Sequence, residues 1–179
     1  MSAERLVGEF GSLGRVLAAS PEARTRACGS RAAADQLSVV GEAILCVVRE
    51  EAEDAMLLGS SSAVIAYLRA RHAHSGIEIG TVLFLNARNR LLKDEMISAG
   101  TVEETSFWPR EIIKRALELD ASGVILAHNH PSGDAQPSKQ DIEVTRTMSR
   151  QCRIFDIVLH DHLVLSPSGH SSMRALGLL

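Results

Sequence analysis

The chain has 179 residues, is 45% hydrophobic and 3% aromatic, and carries a net charge of −3. This composition excludes a disordered, collagen-like or low-complexity protein and fits one ordinary core domain, built mainly from Ala, Val, Ile and Leu, with a small appendage. The charge speaks against a strong electrostatic hold on nucleic acid, so the expectation is weak or no direct DNA binding.

No apolar run approaches the roughly 20 residues of a membrane helix, so no membrane span is expected. The opening MSAERLVGEFGSLGR lacks the apolar centre of a secretory signal. Cys28, Cys46 and Cys152 are scattered and odd in number. They fit reduced, mostly buried thiols in a cytoplasmic protein and neither a disulfide frame nor a Cys-x-x-Cys zinc site.

Residues 3–55 read as helices, with Leu6, Phe10, Leu13 and Leu17 at helical spacing and Gly11 and Gly14 breaking the first into two. Ser20-Pro21-Glu22 is a helix start with proline in the first turn. Cys28-Gly29-Ser30 reads as a tight turn, and a further helix carries Leu37, Val40, Ala43, Ile44 and Val47. Two short helices around a glycine turn resemble a helix-hairpin-helix unit, which can offer backbone amides to DNA phosphates. The turn matches the usual Gly-x-Gly poorly, so the preferred reading is a helical cap on the main domain.

Gly59-Ser60-Ser61-Ser62 marks a boundary and helix cap, dividing a helical segment (1–58) from the main domain (59–179). The helix over 63–73 ends near His72 and His74, which are expected to interact with the helix dipole and have no catalytic role. Val82-Leu83-Phe84-Leu85 predicts a buried strand, residues 86–90 a turn, 91–97 a returning strand, and Gly100-Thr101-Val102 the start of another extended piece. Trp108-Pro109-Arg110-Glu111 opens a helix buried through Ile112, Ile113, Ala116 and Leu117. Val124-Ile125-Leu126-Ala127 predicts a second buried strand, followed by a helix from Ser138 through Met148 and an extended stretch over 154–164. The fold class is α/β (α+β), with strands and helices alternating around a central sheet.

That second strand leads into AHNHPSGDAQPSKQD at 127–141. Residues i and i+2 of a strand share a face, so His128 and His130 can reach one point. Pro131 keeps His130 extended. Ser138 begins a helix, and Asp141, one turn in, can face back toward the imidazoles. Two neutral imidazoles and a carboxylate suit zinc and leave a fourth position for water. Ser-x-x-Asp also reads as a capping box, a role compatible with metal ligation by Asp141.

His128, His130, Pro131, Ser138 and Asp141 form H-x-H-P-x6-S-x-x-D, the signature of the JAMM (JAB/MPN) zinc metalloproteases. The sequence more narrowly resembles their bacterial RadC-like branch, through HNHPSGD at 128–134, Gly100-Thr101, Pro109-Arg110-Glu111 and a late Asp161-His162. The similarity runs from about Glu78 to the C-terminus, and the preceding helices resemble the later part of that branch's helix-hairpin-helix region. The resemblance implies a JAMM/MPN-like (cytidine-deaminase-like) domain, a central mixed sheet flanked by helices. It implies catalytic Zn2+ on His128, His130 and Asp141, and Ser138 donating to a developing oxyanion. It implies hydrolysis of a peptide or isopeptide bond in a peptide or protein substrate, under an old label of DNA repair.

The resemblance also implies a glutamate acting as general base and acid. Glu111 lies in a helix's first turn, Glu103 and Glu104 in a polar extended piece, and Glu95 beside Lys93-Asp94. Glu78 stands in Gly76-Ile77-Glu78-Ile79, flanked by apolar residues that would desolvate it, as suits a general base. It also matches the glutamate opening the corresponding RadC-like strand. An antiparallel arrangement of this strand against 124–127 would set Glu78 beside His128.

His160 and His162 are expected to share a strand face that supports the site, and Asp134 to form a turn. Two rival functions fit the residues less well. One is a DNA-associated metal nuclease, disfavoured by Asp134, Asp141 and Glu143 around the motif. The other is a non-catalytic interaction module, disfavoured by the intact ligand set. A zinc nucleoside deaminase lacks its Pro-Cys-x-x-Cys half. The sequence assigns no oligomeric state.

Overall fold

The two apolar runs form the centre of a five-stranded mixed sheet, ordered β2-β1-β3-β4-β5. The strands are β1 (Glu78–Leu85), β2 (Leu91–Gly100), β3 (Gly123–Asn129), β4 (Val158–Leu165) and β5 (His170–Ser172). The helices are α1 (Ala3–Phe10), α2 (Leu13–Ala18), α3 (Pro21–Cys28), α4 (Arg31–Leu57), α5 (Ser61–His72), α6 (Pro109–Glu118) and α7 (Lys139–Ile154). This computed structural model describes residues 3–57, 61–100 and 107–179. The expected cap at Gly59-Ser60, the extended piece at Thr101-Val102, and Glu103 and Glu104 lie outside the described residues. Among the described residues, no helix is long and apolar enough to cross a membrane.

Side-chain alternation builds the layers. Val82 and Phe84 on β1, with Val124 and Leu126 on β3, face α6 and α7 and pack with Phe107, Ile112, Ala116, Met148 and Cys152. Leu83 and Leu85, with Ala127, Leu163 and Leu165, face the other way, against Val64, Tyr67 and Leu68 of α5 and Ala52 of α4. Both faces of the central strands are therefore covered, which explains their unbroken apolar runs. A smaller cluster, Leu6, Val16 and Ala27 with Leu37, holds the first helices together. On α4, Val40, Ile44 and Val47 remain exposed.

β1 pairs antiparallel with β2 and with β3. β3 pairs parallel with β4 through the α7 crossover. That ladder slips between Val124↔Leu159 and Ile125↔Asp161, leaving His160 as a bulge. Leu126 then faces His162 in register, so His162 lies on the α6/α7 side of the sheet. A Cβ on Gly123 would come within 2.5 Å of the His160 ring, which occupies the space that glycine leaves open. Gly123 precedes the α6-facing Val124 and points oppositely. His160 and His162 thus do not share a face as expected, because the bulge breaks the period-two alternation.

Other expectations need smaller corrections. Of the three cysteines Cys152 is buried, Cys28 half-buried and Cys46 exposed, so the expectation of mostly buried thiols does not hold. Gly14 lies inside α2, and the break falls at Gly11 (φ 85°) and Ser12, whose hydroxyl caps Arg15 N–H. Leu117 is 50% exposed and does not join the buried face of α6. Ile154 ends α7, because the backbone leaves the helix only at Phe155 and Asp156, the latter at φ 54°. His72 does not serve the helix dipole. Its Nε2 bonds Thr81 Oγ1 at 2.8 Å, and burial, with Arg71 beside it, pushes its pKa down to about 3. A neutral imidazole carries no charge to offer the dipole.

The helical layer is pinned to the sheet by Asp94 on β2. Its buried carboxylate accepts from Tyr67 Oη at 2.6 Å and pairs with Arg71 and, at 3.3 Å, Arg49. Asp94→Ala removes the shared acceptor while leaving the arginines partly exposed. It should destabilise the fold by roughly 1–3 kcal/mol, read as a lower denaturant midpoint. An unchanged midpoint would show that the cluster contributes nothing.

Candidate metal centre

The site forms where β1 begins, β3 ends and α7 starts. The antiparallel register sets Gly80 opposite His128, which brings Glu78, two residues earlier, alongside the histidine end of β3. His130 follows that strand, and its N–H donates to the Leu165 carbonyl at 2.8 Å, continuing the ladder before Pro131. The backbone then turns through Gly133 at φ 93°, a conformation glycine adopts freely, and returns to start α7 at Ser138.

Both halves of the capping box are formed. Asp141 N–H donates to Ser138 Oγ at 3.1 Å, and Ser138 N–H donates to Asp141 Oδ2 at 2.7 Å. The cap thereby aims the carboxylate at the histidines. Asp141 Oδ1 lies 3.3 Å from His128 Nε2, and Oδ2 lies 3.6 Å from His130 Nε2. The two Nε2 atoms are 3.0 Å apart. Ser138 is exposed, and its use of Oγ as an acceptor leaves the hydroxyl proton available to donate.

The Glu78 carboxylate reaches the same place. One of its oxygens and one ring nitrogen from each of His128 and His130 lie within 4.8 Å of one another, a group that could hold a metal ion. Glu78 is itself buried, at 8% exposure. Glu95 and Glu111 do other things. Glu95 forms a pair with Arg115 at 2.6 Å and another with Lys93 at 3.0 Å, and Glu111 sits exposed in the first turn of α6.

His130 Nδ1 lies 2.9 Å from the Asp134 carbonyl oxygen. A carbonyl only accepts, so Nδ1 carries the proton and Nε2 of the neutral ring is left as a lone pair. Asp134 forms the expected turn, with Oδ1 accepting Gln136 N–H at 2.9 Å, and also orients this imidazole. Asp141, which can accept from Nε2 only when the ring is charged, raises the His130 pKa against the opposing effect of burial. Burial raises Asp141, but its interactions with His128 and His130, attractive when those rings are charged, outweigh it and hold the carboxyl far below its ordinary value. The donor atoms thus converge on a point that favours positive charge. Spacings of 3.0, 3.3 and 3.6 Å bracket the roughly 3.3 Å edge of a tetrahedron with the bond lengths of a small first-row cation.

Two contributors escape sequence reading. Asn129 is buried between the histidines in sequence but points to the β1 side. Its Oδ1 accepts Ile79 N–H at 2.9 Å and its Nδ2 donates to the Ile77 carbonyl at 3.0 Å. The amide therefore clamps the backbone on both sides of Glu78. Thr145, on α7, joins the buried His162 to the backbone of Asp141. Phe107 packs edge-on against His162 and His128, with ring centroids 5.0 and 6.0 Å away, excluding water from their inner side. Asp161 serves the C-terminal segment, where Oδ1 accepts Arg174 N–H at 3.0 Å and Oδ2 accepts from Ser172 Oγ.

The family model for the RadC-like JAB domain matches residues 58–178. The protein belongs to the RadC-like JAB domain family. A UPF0758 protein from Rhodobacter capsulatus is 43% identical over 178 residues, covering 99% of this sequence and 83% of that protein. The match to the RadC-like domain takes in β1, β3 and α7, so it includes every residue of the candidate centre.

Proposed function

We propose that this RadC-like protein is a zinc-dependent hydrolase of peptide or isopeptide bonds. The observation that carries the reading is the convergence of His128, His130 and Asp141 on one point, with the buried Glu78 beside it. His128, His130 and Asp141 would hold the ion, since two imidazoles and a carboxylate leave one position open. Bound there, zinc would supply a water acidified toward neutral pH.

The protein's own groups complete the chemistry. A Glu78 carboxylate oxygen takes a proton from the attacking water and returns it to the leaving nitrogen. The clamp by Asn129 holds that carboxylate in place. Ser138 Oγ donates its free proton to the oxyanion that develops on the scissile carbonyl.

The zinc-loaded protein should cleave members of a panel of peptides and isopeptide-linked conjugates, and leave single- and double-stranded DNA intact. Cleavage of nucleic acid in place of every amide substrate would overturn the reading. Nucleic acid belongs in the panel because Lys139, Arg146 and Arg150 line a surface cleft along α7, with Glu143 among them. With a net charge of −3, direct DNA binding is proposed to be weak and to fade as salt rises. Tight, salt-insensitive retention in a binding titration would contradict that. A cytoplasmic location is proposed from the free Cys28, Cys46 and Cys152. Recovery of the protein from an oxidising compartment on cell fractionation would count against it.

A further inference from the structure

We propose that Thr145 and His162 are positioning residues that fix the His128 proton on Nδ1 and so present its Nε2 lone pair to the metal site. The purpose of this relay rests on the metal reading, while the directions of its hydrogen bonds follow from the geometry alone.

One bond in the relay has an unambiguous direction. Thr145 Oγ1 lies 2.6 Å from the backbone carbonyl oxygen of Asp141. A carbonyl only accepts, so the single hydroxyl proton goes there. Met173 Sδ lies 3.1 Å from Thr145 Oγ1, but a thioether is a weak acceptor and does not compete with the carbonyl. Thr145 Oγ1 is also 2.5 Å from His162 Nδ1. With its proton committed, the hydroxyl can only accept, so His162 Nδ1 carries a proton.

His162 is wholly buried, and among the described residues the hydrogen-bond partners of its ring are Thr145 and His128. An unpaired imidazolium there would be costly, so the ring is neutral and its Nε2 holds a lone pair. His162 Nε2 lies 2.8 Å from His128 Nδ1 and accepts the proton of that nitrogen. His128 Nε2 is then the lone pair that faces Asp141 Oδ1 at 3.3 Å. His130 reaches the same state through its bond to the Asp134 carbonyl.

The relay begins and ends on Asp141. Its backbone carbonyl orients Thr145, and its carboxylate meets the nitrogen that the relay leaves bare. The first turns of α7 therefore supply both the acid group and the reference that orders the opposite imidazole. The bulge at His160 completes the arrangement by turning His162 to the α7 side of the sheet. Partners of this kind typically change metal affinity roughly 10- to 100-fold when removed.

Thr145→Val removes the hydroxyl at nearly constant shape, and Thr145→Ser restores it. Long-range 1H–15N NMR on the metal-free protein should show His128 protonated on Nδ1 in the wild type and the serine variant, and a mixture of tautomers in the valine variant. Zinc affinity, measured by chelator competition, should fall roughly 10- to 100-fold in the valine variant and recover with serine. His162→Gln, whose amide has both a donor and an acceptor end, should keep more affinity than His162→Phe, which gives a second test if the valine variant does not fold. A wild-type His128 protonated on Nε2 would overturn the proposal. So would valine and phenylalanine variants with wild-type tautomer and affinity. A wild type that shows the Nδ1 proton but takes up no zinc would support the relay and overturn the metal reading, so the two failures are distinguishable.

Discussion

Glu78→Gln is expected to fold, to keep its metal, and to lose hydrolysis by about 10²-fold or more, the typical contribution of a positioned general base. Glutamine preserves size and hydrogen bonding but cannot take a proton. Because Asn129 bonds the backbone at Ile77 and Ile79, it does not depend on the Glu78 side chain to hold the strand. The strand should therefore stay in register. The comparison to make is turnover of the best amide substrate beside zinc content. Retained turnover would move the acid–base role elsewhere, whereas simultaneous loss of zinc would identify Glu78 as a ligand.

His128→Ala should have the largest effect on the metal itself. It deletes one of three converging donors, and it leaves His162 buried without its partner at 2.8 Å. A site reduced to an imidazole and a carboxylate holds zinc poorly, so His128→Ala and His130→Ala should each release most of the metal. The two should differ in stability. His128 is wholly buried, and its loss opens a cavity next to His162 and Phe107. His130 lies at the rim, with its side chain 18% exposed, and its removal should leave the unfolding midpoint closer to that of the wild type. Metal content and thermal unfolding of the two purified variants check both statements. Full zinc occupancy in either variant would refute the ligand set.

The parts of the site that were legible in the sequence are those written in local spacing. His-x-His after an apolar run, proline behind it, and Ser-x-x-Asp at a helix start each act through geometry that spans only a few residues. The strand-and-helix alternation was legible for the same reason, since Val82 to Leu85 and Val124 to Ala127 lie in central strands covered on both faces and flanked by turn residues. Glu78 is less legible, because it needs an antiparallel pairing between strands far apart in sequence, and family resemblance also separates it from Glu95 and Glu111.

What escaped depends on tertiary contacts. The His160 bulge arises where a glycine at 123 makes room for an imidazole, and nothing local to residues 158–165 announces it. Asn129 reads as filler between two histidines until its amide closes on β1. Thr145 reads as an ordinary helical residue until His162 arrives beside it. His72 has the right position to serve the helix dipole, but burial against Thr81 decides otherwise. Gly14 is tolerated inside α2 because glycine in a helix costs only about 1 kcal/mol relative to alanine, and Ser12 caps the turn.

Elemental analysis of protein purified without chelator asks whether His128, His130 and Asp141 hold zinc at all. One zinc per protein molecule is expected, retained through gel filtration and lost in His128→Ala. Native, folded protein containing no zinc, and taking up none on titration, would contradict the proposed metal centre.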